Sequence, residues 1–135
     1  MNNQHFIFDF ETLGIDLLKG FPVLECAYGI FDADRFLTDP YTFEELVESV
    51  IVKDKLKVAS QVEDFGYKID PDTLAWWKSQ DPKLINEIVK PSKHDISVEE
   101  FIDNVMKLLY SNPDAHHDVA IDVMRLQKLI IAENE

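Results

Sequence analysis

Cysteine is nearly absent from this chain. Cys26 is the only one in 135 residues, which excludes an internal disulfide framework and any zinc site built on cysteine, and fits a reducing compartment. Long apolar runs are missing too. No stretch approaches the roughly 18 residues of a membrane span, and no basic segment leads into an apolar one near Met1. Neither a transmembrane helix nor a secretion signal is expected, and the expected location is cytoplasmic. Glycine is scarce, four in all, and no linker, repeat or low-complexity tract divides the sequence, so residues 1–135 are expected to form one domain. A domain of this length buries roughly two-thirds of its unfolded surface and folds without a staple.

Positive charge is also short. Thirteen Lys and Arg face 26 Asp and Glu, a net of −13, and the first 50 residues hold only Lys19 and Arg35 against ten carboxylates. A tight, non-specific duplex binder needs many phosphate-neutralising cations, so that class is disfavoured. An enzyme that meets nucleic acid through bound divalent ions is not, because such an ion is often the largest local charge in its site.

What is present is patterned. Residues 5–10 and 22–32 are rich in aromatic and β-branched types and predict two strands paired as a hairpin. Residues 50–58 favour a third strand, on which Lys53, Lys55 and Lys57 alternate; the segment before them stays open. Asp70-Pro71 starts a helix through Lys78, Asp81-Pro82 a short one through Val89, and Ser97 with Glu100 caps a helix over 98–110. Apolar spacing from Val119 to Ile130 predicts a terminal helix. Strands first and helices after suggest a small α/β or α+β domain.

Two constellations carry chemistry. Asp9 and Glu11 stand at i and i+2 of the first strand, so both carboxylates leave one face while Phe8 and Phe10 leave the other for the core. Crowded carboxylates repel unless a cation sits between them, and paired oxygen ligands suit Mg²⁺ or Mn²⁺. Two solvated acids on an edge strand would look the same. The second constellation is His117 and Asp122. With a helix starting near Asp118, His117 stands at its mouth and Asp122 one turn in, an imidazole for proton transfer beside a metal-binding acid. A helix cap flanked by surface histidines reads equally well.

Taken together these motifs resemble a known family. Ile7-Phe8-Asp9-Phe10-Glu11-Thr12 resembles the first motif of the DEDD-type 3′→5′ exonucleases, and His117 with Asp122 resembles the third motif of their histidine-bearing (DEDDh) subclass. Thr73-Leu74-Ala75-Trp76-Trp77-Lys78-Ser79-Gln80 is similar to the Thr-x-x-Trp-Trp-x-x-Gln signature of the phage exonuclease A (DexA) branch and its bacterial exoribonuclease relatives. The resemblance implies an α/β, ribonuclease H-like exonuclease fold, shortened, with a small mixed sheet and C-terminal helices. It implies hydrolysis from the 3′ end of single-stranded DNA or RNA with Mg²⁺ or Mn²⁺. One ion would be held by Asp9, Glu11 and Asp122, with His117 accepting the proton of the attacking water; a second would share Asp9. Thr12, Leu13, Trp76 and Trp77 would contact the substrate, with one tryptophan in the core and the other free to stack on a base.

The chain departs from the family pattern in one respect. Relatives carry a second motif, an aspartate after a central strand, and nothing between Lys83 and His116 reads as that strand. Either an internal segment is lost before His116, which the spacing from His117 to Asp122 favours, or residues 116–126 are a degenerate second motif and the third is missing. The alternative function is a catalytically weak or inactive relative that acts as a protein-binding or inhibitory module. A lost strand would leave an open sheet edge and apolar helix faces, including Phe101, Val105, Leu108 and Leu109, which predicts a homodimer or exchange of the C-terminal helix.

Overall fold

The computed structural model describes residues 3–15 and 20–117. The described chain is a mixed α/β structure built on a four-stranded sheet of order β3-β2-β1-β4. β1 (Gln4–Thr12) and β2 (Val23–Asp32) form the expected antiparallel hairpin, in register from Gln4 opposite Asp32 to Glu11 opposite Glu25. The register shifts between Glu11 and Thr12, so that Thr12 meets Val23. β3 (Ile51–Lys55) pairs antiparallel with the far side of β2. β4 (His116–His117) pairs parallel with β1 at His5 and Phe6.

Period-two alternation decides the sheet's two faces. Phe6, Phe8 and Phe10 are buried with Cys26 and Tyr28, and the ring of Phe101 closes on Phe10 and Tyr28 at 6.0 and 5.9 Å. Phe101 belongs to α6 (Val98–Ser111), whose apolar stripe lies on this face and whose first turn is capped by Ser97 Oγ, an acceptor for the Glu100 N–H at 3.1 Å. Phe101 and Val105 are thus core residues. The expectation that they form an exposed dimerisation face is corrected: the aromatic face of β1 and β2 covers them.

The remaining helices are short. α1 (Arg35–Thr38) follows β2; α2 (Phe43–Glu45) runs into a π-helical turn over Leu46–Val50 that delivers the chain to β3. That turn sits close to the sheet, because a Cβ on Gly29 would stand 2.3 Å from the Val50 carbonyl oxygen; only glycine fits there. α3 (Val58–Phe65), where the sequence suggested no helix, begins at Lys57 without a side-chain cap and ends at Gly66, whose φ of 71° closes it in the left-handed region. The strand expected to reach Val58 therefore stops at Lys55, and Lys57 stands at the helix start rather than on a strand face. α4 (Pro71–Lys78) and α5 (Pro82–Leu84), which continues as a π-helical turn over Ile85–Val89, match the proline-led starts. A second core cluster, Leu13, Leu24 and Trp77, joins α4 and α5 to the end of the hairpin. The predicted terminal helix and Asp122 lie outside the described residues. No helix among the described residues is long and apolar enough to cross a membrane.

Candidate active site

Asp9 and Glu11 project from the face of β1 opposite its phenylalanines; Asp9 is exposed and Glu11 half-buried. The rungs of the sheet define their neighbours. Asp9 pairs with Ala27, and Ala27 with Lys53; Glu11 pairs with Glu25, and Glu25 with Lys55. Paired residues share a face, so three carboxylates and two ammonium groups lie on one side of three strands. Glu11 and Glu25 stand directly opposite each other in the β1–β2 register. Burial pushes the Glu25 carboxyl above its ordinary value, Lys53 and Lys55 pull it back, and Glu87 adds to the rise. Sequence reasoning missed Glu25. The available signal was a single acid inside the otherwise apolar run Val23-Leu24-Glu25-Cys26-Ala27.

The Trp-Trp segment reaches this site directly. Trp77 is buried, and its indole Nε1–H donates to the Thr12 carbonyl at 3.1 Å across 65 residues of sequence. Trp76 is 56% exposed and meets Trp77 edge-on at 5.0 Å, so the expected division of one core and one free tryptophan is what the helix produces. Leu13 is buried in the same cluster and its backbone is held on both sides, its N–H by Pro22 and its carbonyl by Asp70. Of the four residues expected to touch substrate, Leu13 and Trp77 are therefore occupied in packing, whereas Thr12 and Trp76 retain accessible surface. The Thr12 hydroxyl donates to the Gly14 carbonyl at 2.7 Å, which stiffens the turn after the bulge.

The backbone of His117 is in a strand. With His116 it forms β4, because the two backbones pair with His5 and Phe6. The His116 and His5 rings lie 5.0 Å apart, and His5 also stacks on Phe31 at 5.3 Å, while His116 stays exposed. Asp122 lies outside the described residues. Among the described residues no three acids or histidines converge as a complete metal cage. Asp9 and Glu11 instead offer hard oxygen donors from one strand, and Mg²⁺ is commonly bound through one or two carboxylates with its remaining positions kept as water. The donor set fits the ion.

No family model matches the chain, and no curated protein matches it.

Proposed function

We propose that this chain is a metal-dependent 3′→5′ exonuclease of ribonuclease H-like fold, acting on single-stranded DNA or RNA. The observation that carries the reading is the bond from Trp77 Nε1 to the Thr12 carbonyl. It ties the Trp-Trp segment to the backbone of the Asp-x-Glu-Thr segment, so two motifs far apart in sequence meet at one place. Asp9, Glu11 and Asp122 would hold Mg²⁺ or Mn²⁺. Such an ion supplies an activated water and charge stabilisation for the departing 3′ oxygen. Glu11 and Glu25 place two further carboxylates on the face that carries Asp9. Thr12 lies at the bulge, and Trp76 offers a stacking surface for a base beside it.

The position of β4 supports one of the two readings of residues 116–126. β4 runs parallel to β1, with His116 and His117 beside His5 and Phe6. Asp122 would then be an aspartate that follows a sheet strand, which is the degenerate second-motif reading; the internal-loss reading keeps it as the third-motif acid, and in both it is a motif carboxylate. On the second-motif reading His117 is a strand residue, and the proton acceptor is a different group.

The test is digestion of an end-labelled oligonucleotide with Mn²⁺ by the wild type, Asp9→Asn, Glu11→Gln, Asp122→Asn and His117→Ala. Each carboxylate variant should lose at least about 10²-fold in rate. His117→Ala should lose less than about tenfold, against the roughly 10²–10⁴-fold expected of a general base. Full activity in Asp9→Asn, or digestion without a free 3′ end, overturns the proposal. Mn²⁺ binding that Glu11→Gln abolishes, with no hydrolysis, turns it into the inactive-relative reading.

A further inference from the structure

We infer that Lys53 is the phosphate-binding residue of the carboxylate face, positioned to hold a nucleotide phosphate against the acids of β1. The inference deepens the proposed function and rests on it. Asp9, Ala27 and Lys53 occupy one rung of the sheet, so Lys53 extends from the same face as Asp9 with a single methyl between them. Two strand spacings separate the outer pair by about 9–10 Å. An ion and a phosphate fit between a carboxylate and an ammonium over that span, and a larger side chain at residue 27 would obstruct them. Beside Asp9 a depression of about 200 Å³, lined by Ile7, Ala27 and Ile51, provides an apolar floor for the attached sugar or base.

The three lysines of the segment are not equivalent. Lys55 Nζ is engaged, donating to both Asp95 carboxylate oxygens at 2.9 and 3.0 Å. Lys57 stands at the start of α3. Lys53 is exposed, acts electrostatically on Glu25, and makes no hydrogen bond or ion pair among the described residues. A lysine is a compact charge on a flexible stem, well suited to phosphate. In a chain of net charge −13, an anionic ligand needs such a local exception to approach the site.

The test is calorimetric titration of the full chain with Mn²⁺, and then with thymidine 5′-monophosphate in saturating Mn²⁺, for the wild type, Lys53→Ala, Lys53→Arg and Lys57→Ala. Lys53→Ala should weaken nucleotide binding about tenfold and reduce its salt dependence, with Mn²⁺ affinity within twofold of wild type. Lys53→Arg should recover most of the loss, and Lys57→Ala should match the wild type. Unchanged nucleotide affinity in Lys53→Ala, with Mn²⁺ binding intact, overturns the role of Lys53 and leaves the exonuclease reading standing. A wild type that binds no Mn²⁺ overturns both.

Discussion

The two faces of β1 divide one nine-residue strand into opposite tasks. On one side Phe6, Phe8 and Phe10 form a continuous aromatic row, their rings 4.9 and 5.7 Å apart, closed over by Phe101. On the other, Asp9 and Glu11 share a face with Glu25, Lys53 and Lys55. Burial of large aromatic surface supplies about 2–3 kcal/mol for each ring, so the packing that holds the strand lies on the face opposite its charged groups. Core packing and the proposed site are therefore separable along a single strand, residue by residue.

The sharpest way to break that division is from the aromatic side. Phe101→Ala removes a fully buried ring and should destabilise the protein by about 3–5 kcal/mol in denaturant unfolding. If Mn²⁺ binding survives wherever the variant remains folded, the two faces are independent. A smaller effect is expected where they join. Trp77→Phe keeps the ring in its cluster but removes the donor to Thr12, and should cost about 1–2 kcal/mol while Trp76 fluorescence keeps its solvent-exposed character.

The smallest effect lies on the charged face and appears in pH dependence. Because burial raises the Glu25 pKa, the folded state binds its proton more tightly than the unfolded chain does. This contribution to stability is fully present below the ordinary value of 4.5 and is lost as pH rises through the raised one. Glu25→Gln should flatten the stability profile over that interval in thermal melts. An unchanged slope would mean that Lys53 and Lys55 already offset the burial.

Much of this arrangement is legible in the residues because local rules agree with the fold. Phe-x-Phe-x-Phe alternation, proline at the first turns of α4 and α5, and the Ser97 cap of α6 each declare an element without help from distant contacts. The reciprocal capping box forms at another place, between Thr42 and Glu45, at the start of the segment whose type the pattern left open. What was not legible depends on partners. The described part of β4, His116 and His117, carries no strand pattern, and its pairing with β1 at His5 and Phe6 identifies it. α3 lacks a side-chain cap at its start, and the lysine alternation leading into it imitates a continuing strand. Glu25 acquires meaning only from the register that sets it opposite Glu11. Phe101 and Val105 are buried rather than exposed because the aromatic side of β1 and β2 packs against them.

Gln61 is completely buried in α3, yet it leaves no polar atom unsatisfied. Its Oε1 accepts from the Val23 N–H at 2.7 Å, and its Nε2 donates to the Val23 carbonyl at 2.8 Å and to Lys57 O at 3.0 Å. That pair of bonds to one residue is the exchange a neighbouring strand would make. The side-chain amide serves as a surrogate peptide group, ending the ladder at the first residue of β2 where another chain might otherwise add. No other side chain can imitate a peptide at this reach: asparagine is a methylene short, glutamate lacks the donor, and methionine lacks both. Position 61 is therefore a sequence marker, and chains that share this hairpin should keep glutamine there even where the surrounding helix has diverged.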